Sequence, residues 1–347
     1  MTVFSVFVSA FTLAGVLLLV MLSLFPKLGL LDFPERYGLK RLPLPYPLGI
    51  VAPLVFLPFL FIVAQRHNMQ FFALVSAIVV LGIVCFLDDR KPLPAMTRLS
   101  LQILVAIALF VTGTRIATLT NPLDILGLGN ELLLEQWMIP SPLGPLPILS
   151  GLFTVGWLLL TINALNWFDG IGGQVSVLST IGFLTIGLLS ISERVGQVSL
   201  GMLALSLAGI ALACAVATIP PARGILGDSG SMFFGLMLGV LTIYAGGKVA
   251  TAFLVLGVPL IDLVIVVIRR IRKGASPFTG NARDEHLHHR LLNKGWSEAQ
   301  VILLNASLGT AFGVTALFLS TLGKVLAAAV LAAVMLALSW YSAPKKS

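Results

Sequence analysis

Charge is scarce in this chain. Charged residues make up 10% of its 347 residues and apolar residues 58%, whereas a soluble domain carries about 25% charged and roughly 45–50% apolar residues. So few polar groups cannot clothe a water-facing fold, which excludes that class. Mean hydropathy is +1.02. The apolar residues come in long uninterrupted runs, not alternating ones. That excludes a membrane β-barrel and implies an all-α integral membrane protein. Cysteine is nearly absent: Cys85 and Cys214 both lie in apolar runs and read as buried small hydrophobes, uninformative about redox compartment. No soluble domain and no short-period repeat interrupts the pattern. The net charge of +8 does not require nucleic acid, because basic residues of membrane proteins collect on the cytoplasmic side.

Eleven apolar runs are predicted as spans, near 3–24, 47–64, 71–87, 99–113, 149–165, 175–191, 198–218, 230–246, 249–268, 301–319 and 323–342. The run at 3–24 has no basic residue before it and no small-x-small site after it, and reads as a retained span. Of the 22 Lys and Arg residues, all but Arg66, Arg115, Arg194, Lys248 and Lys324 fall on one set of loops. That set is therefore assigned to the cytoplasm, with the N-terminus outside and the C-terminus inside. The chain reads as a single polytopic domain, 1–347. Its outer loop at 114–148 lies against the membrane surface, and a basic, His-bearing cytoplasmic loop occupies 269–300.

The polar motifs then fall on one membrane face. Asp88-Asp89 closes the third span; adjacent carboxylates repel, and a cation or basic group would relieve that cost. They suit Mg²⁺ binding or acid/base work, or simply flank a span. Asn163, Asn166 and Asp169 follow the fifth span at intervals of three, expected to share a helix face, with Gly170, Gly172 and Gly173 allowing close backbone approach. Gly227-Asp228-Ser229-Gly230-Ser231 opens the eighth span. It is either an ordinary helix cap or a phosphate and divalent-cation site. Asp262 lies inside the ninth span, after Pro259, and is either functional or paired within the bundle, with Arg269 or an Asn. In the last cytoplasmic loop seven cationic residues lie between Arg269 and Lys294. There His286, His289 and Arg290 would share one helix face, with His288 pointing elsewhere. Arg290 beside the imidazoles favours an anion over zinc. Asp residues for Mg²⁺ with Arg and His for phosphates describe a phosphoryl-transfer site.

In order and spacing, Asp88-Asp89, Asn163-x-x-Asn166-x-x-Asp169-Gly170, Gly227-Asp228-Ser229-Gly230-Ser231 and His286-Leu287-His288-His289-Arg290-Leu291 resemble the polyprenyl-phosphate N-acetylhexosamine-1-phosphate transferases. The likeness runs from Leu31-Asp32-x-Pro34 to about Gln300. It implies a multi-pass protein of the bacterial cytoplasmic membrane in which polyprenyl phosphate attacks the β-phosphate of a UDP-N-acetyl sugar, releasing UMP, with Mg²⁺ or Mn²⁺ as cofactor. By motif position Asp228 and Asn166 would hold the metal. Asp88, Asp89 and Asp169 would be the catalytic carboxylates, with Asp88 accepting the lipid phosphate's proton. Asn163, Gly170, Arg98, His286, His288, His289 and Arg290 would bind substrate. His289-Arg290-Leu291 looks like the N-acetylglucosamine-1-phosphate branch, whose relatives are often homodimers. The partners implied are lipid and nucleotide sugar, not nucleic acid.

Five places depart from the family pattern: Gly172 where an Asp is usual, Thr218 for an Asn, Lys40-Arg41 and Leu48-Gly49 in the early loop, Arg98 for a Lys, and Asp284 displaced in a lengthened Gly280-Asn281-Ala282 stretch. They bear on nucleotide and sugar choice. A transporter of anionic lipids would place polar residues near the middle of several spans, where this chain has almost none. An inactive scaffold would bind nucleotide without turnover.

Overall fold

The computed structural model describes residues 2–34, 42–64, 68–121, 131–142, 144–193, 195–246, 249–276 and 285–343. Arg66, Arg194, Lys248, Lys40-Arg41 and Asp284 lie outside them, as do Gly280-Asn281-Ala282 and part of the 114–148 loop.

The protein is mostly helical. Helices α1 (Val3–Leu24), α2 (Val51–Val63), α3 (Met69–Arg90), α4 (Ala95–Val111), α5 (Ile148–Phe168), α6 (Gln174–Ile191), α7 (Val198–Thr218) and α8 (Asp228–Tyr244) precede a broken pair, α9 (Val249–Val255) and α10 (Gly257–Arg272). The short α11 (Leu287–Asn293) leads into α12 (Glu298–Phe318) and α13 (Thr321–Tyr341). Among the described residues, seven helices are long and apolar enough to cross a membrane, the broken pair makes an eighth candidate, and three apolar helices are shorter. This is a multi-pass membrane protein.

α8 is the buried axis. It packs on α5 because Gly235 and Gly239 present no side chain there: a Cβ on Gly235 would lie 2.6 Å from Thr161 O, and one on Gly239 2.6 Å from Thr161 Oγ1. Small residues four apart let two backbones approach in this way. α3, α6 and α2 close around α8, and α7 lies between α6 and α1. α13 sits at the periphery, mostly exposed along its length.

The 249–268 segment is not one continuous span. α9 and α10 meet at 84°. Pro259 has no N–H to give the carbonyl of Val255, the last residue of α9, so the ladder ends there and a new helix starts at Gly257. The 114–148 loop contributes two small antiparallel strand pairs. Strand β1 (Thr118–Thr120) pairs with β2 (Glu131–Leu133), and β3 (Met138–Ile139) pairs with β4 (Leu146–Pro147). Cys85 and Cys214 are free and buried, as expected.

Candidate active site

Two helix ends and one helix start build the site. α3 stops at Arg90, because Lys91 turns extended ahead of Pro92 and Pro94. In that turn the Leu93 N–H donates to Asp88 Oδ1. α4 begins directly after Pro94 and places Arg98 one turn in. Arg98 Nη1 donates to Asp88 Oδ2 at 3.2 Å and to Asp228 Oδ2 at 2.9 Å. One guanidinium thus ties together carboxylates far apart in sequence.

Asp228 is the first residue of α8. Its other oxygen, Oδ1, accepts from Asn166 Nδ2 at 2.8 Å, and the same amide reaches Ser231 Oγ at 3.2 Å. The expected row of Asn163, Asn166 and Asp169 breaks at its last member, for α5 ends at Phe168 and Asp169 is the half-helical residue beyond it. Asp169 instead turns to α8 and accepts from the Gly227 N–H. Burial, with the Asp228 and Asp89 charges behind it, pushes the Asp169 carboxyl well above the usual carboxylate range. Asn163 sits one turn deeper. Its amide donates to Gln102 Oε1 at 2.7 Å and to Leu159 O at 2.8 Å. Gln102 was not legible as a site residue, although its position four after Arg98 places it on the same face of α4.

Asp89 faces differently from Asp88. Its Oδ1 accepts from Tyr46 OH at 2.6 Å and from the Asp228 N–H at 2.8 Å; its Oδ2 accepts from the Ser229 N–H at 3.0 Å.

The His loop packs at the same end of the helices. His286 is the non-helical residue ahead of α11, with ψ 143, so helical spacing does not apply to it. The predicted face is therefore corrected. His286 stacks on His288 with centroids 5.6 Å apart, and His289 follows at 4.2 Å from His288, so all three rings cluster. His288 is buried against Phe168, with neither ring nitrogen partnered among the described residues. Burial, then the neighbouring His289 and His286, holds its pKa well below 6.5, so the ring is neutral. Gly170 makes room for it: a Cβ there would lie 2.1 Å from His288 Nε2. Arg290 turns away, donating to the Ser339 carbonyl and hydroxyl of α13, which Arg269 also reaches at 2.6 Å. Arg290 therefore braces the outer helix from this position. Arg270, not singled out in the sequence, lines the site with its Nε 2.6 Å from Glu285 and its guanidinium 5.2 Å over the Trp167 ring.

Of these side chains Arg98, Gln102, Asn163, Asn166, Trp167, Asp169, Asp228 and Arg270 line a cavity of about 610 Å³ between α4, α5, α8 and α10. Its head is polar, with Arg98, Asn166, Asp169, Asp228 and Arg270. Its body is apolar, with Leu99, Leu159, Leu160, Leu263 and Val267. Among the described residues no group of three or more His, Cys, Asp or Glu side chains is arranged to hold a metal. Mg²⁺ does not need one, since it is bound through one or two carboxylates with water and substrate phosphates. The Asp228 carboxylate, the Asn166 amide and the Ser231 hydroxyl, beside the like-charged Asp88 and Asp169, fit such an ion.

A helical membrane protein with clustered carboxylates at the head of an apolar cavity is the class these features define. The glycosyl transferase family 4 model matches residues 71–246, just over half of the chain. The protein belongs to that family. It is 30% identical over 250 residues to the "Probable undecaprenyl-phosphate N-acetylglucosaminyl 1-phosphate transferase" of Bacillus subtilis (strain 168), covering 70% of this chain and 63% of that one. It is 32% identical to the decaprenyl-phosphate N-acetylglucosaminephosphotransferase of Mycobacterium leprae (strain TN), covering 67% and 60%. The undecaprenyl-phosphate alpha-N-acetylglucosaminyl 1-phosphate transferase of Escherichia coli (strain K12) is 29% identical, covering 91% and 84%. The matched stretch thus spans about 60% of the first two relatives' length.

Proposed function

We propose that the protein transfers N-acetylglucosamine-1-phosphate from UDP-N-acetylglucosamine to a polyprenyl phosphate, releasing UMP, as a first membrane step in building a cell-envelope glycan. The observation that carries this reading is the amphipathic cavity. Its apolar body suits a prenyl chain, and its charged head meets the phosphates at the membrane surface. Names of the relatives in three bacteria point the same way.

In this reading Asp228, Asn166 and Ser231 hold Mg²⁺, which when bound neutralises phosphate charge. Mn²⁺ has the same donor preferences and is expected to substitute. Arg98 lies between Asp88 and Asp228, placed to receive a phosphate oxygen. In this reading Asp88 takes the lipid phosphate's proton, because it is bonded to Arg98 of the cavity head while Asp89 is bonded into α8. Asp169, buried close to Asp228 and Asp89, is the further carboxylate of the site, its charge offset when a divalent cation is held. Neutral His288 offers an N–H in a cleft closed by Gly170. Direct attack by the lipid phosphate on the β-phosphate needs no covalent enzyme intermediate, because phosphoryl transfer is governed by positioning and charge neutralisation. The N-terminus lies outside, the C-terminus and the site lie on the cytoplasmic face of the bacterial inner membrane, and eleven crossings follow if the three shorter helices also span.

UMP release from UDP-N-acetylglucosamine by detergent-purified protein with undecaprenyl phosphate and Mg²⁺ tests the reading. Lipid- and Mg²⁺-dependent UMP is expected. Absence of UMP across a panel of UDP-sugars would overturn it.

A further inference from the structure

The loop ahead of α2 and the loop ahead of α8 are zipped together. Leu48 N–H donates to Ile225 O and Gly49 N–H to Leu226 O, both at 2.8 Å, and Ile225 N–H returns to Pro45 O at 3.0 Å. Their contact is so close that a Cβ on Gly49 would lie 2.4 Å from the Gly230 backbone. The zip delivers Tyr46 to the turn before α8, where its hydroxyl donates to Asp89 Oδ1 at 2.6 Å.

α8 lacks a cap of its own. The residue before it is Gly227, with φ 80, which has no side chain to accept the first free N–H groups. Asp89, from α3, takes that part. It accepts the N–H of Asp228 and of Ser229, the first two residues of the helix. A carboxylate at a helix N-terminus is favoured both by those bonds and by the helix dipole. Every Asp89 bond named here points toward the turn that presents Asp228.

We propose that Tyr46 is a positioning residue. Its hydroxyl orients Asp89, Asp89 caps α8 from another helix, and the capped turn fixes the Asp228 carboxylate that faces Arg98 and Asn166. The two adjacent aspartates then have different duties: Asp88 bonds Arg98, which lines the cavity head, and Asp89 acts through backbone. The catalytic part of this inference rests on the transfer reaction proposed above; the capping part does not.

Two measurements on Tyr46→Phe keep those parts separate. Hydrogen exchange of the peptide spanning residues 225–232, without substrate, reports the cap directly, because the Asp228 and Ser229 amides are the groups Asp89 holds. Faster exchange there by about tenfold is expected, with peptides of α5 and α7 unchanged. In the UMP-release assay kcat should fall about tenfold while the Michaelis constants for donor and lipid stay within about twofold. Asp89→Asn, which keeps an acceptor oxygen but loses the charge, should show the same pattern more strongly, and its pH–rate profile should keep the wild-type shape. Unchanged exchange in both variants would overturn the cap. Faster exchange with wild-type kcat would overturn the positioning role, as would a rise in one Michaelis constant alone. If the wild-type protein turns over no UDP-sugar, the exchange result still decides whether Asp89 and Tyr46 hold the turn.

Discussion

His286 Nδ1 lies 2.9 Å from Asp262 Oδ2, and the other Asp262 oxygen accepts the Leu287 N–H at 3.0 Å. An acidic residue inside the predicted ninth span therefore anchors the first turn of the His-bearing segment. Its partner is His286 and not Arg269, whose guanidinium goes to Ser339. The broken α9–α10 pair makes this reach feasible, since α10 carries Asp262 in its second turn and ends where the basic loop begins.

Removing that anchor has a definite consequence. Asp262→Ala should destabilise the protein by about 1–3 kcal/mol, because His286 and the Leu287 N–H are left buried without their acceptor. A lowered thermal unfolding midpoint in detergent is expected, with a raised Michaelis constant for the UDP-sugar. An unchanged midpoint would show that the loop is held elsewhere.

Asp228→Asn should reduce turnover by at least about a hundredfold, because its carboxylate is the centre to which Arg98 and Asn166 both bond. Higher Mg²⁺ should recover part of the loss if the residue serves the metal. A variant with wild-type UMP release at low Mg²⁺ would remove Asp228 from the site.

Asp169 should cost stability at neutral pH. Its folded-state pKa is raised above the ordinary 3.8, by burial first. A carboxyl shifted that way stabilises the fold fully only below its unfolded pKa, and that contribution is lost as pH rises through the folded value. In EDTA-treated protein Asp169→Asn should therefore unfold at a higher temperature than wild type near pH 7. The gap should close as pH falls toward 4. A variant less stable at both pH values would contradict the assignment.

Gly170→Ala places a methyl group where His288 Nε2 stands, 2.1 Å away. The imidazole must move, so activity should drop about tenfold or more while α-helix content stays constant by circular dichroism. Retained activity would show that the His288 position is dispensable.

Two of the departures from the family pattern are neighbours in space. A Cβ on Gly172 would lie 2.6 Å from Thr218 O, so the residues at 172 and 218 sit against each other. Thr218, at the end of α7, spends its hydroxyl on Cys214 O. No Asp fits at 172 while the α7 backbone runs there, and Gly172→Asp is expected to lower the unfolding midpoint.

The sequence by itself determined the class of protein. Too few charges and long apolar runs leave helices in a bilayer as the solution, because an unpaired backbone cannot be left in lipid. It also brought forward Arg98, Asn163, Asn166, Asp169 and Asp228, which line the cavity, and Asp88, which Arg98 ties to Asp228. The helix break was present as Pro259 and went unread, since an apolar run shows hydropathy and not direction. Partners are another matter. Successive residues on a helix point about 100° apart, so which of two adjacent carboxylates meets the cavity depends on how α3 is rotated against α8. That rotation is set by packing, through contacts such as Cys85 Sγ of α3 against Met232 Sδ of α8 at 3.4 Å. Tertiary structure alone placed Arg98 between Asp88 and Asp228, turned Asp89 to the start of α8 and sent Arg290 to α13. The physical reason is that each of these bonds joins groups whose meeting is fixed by the docking of whole helices and not by their local sequence.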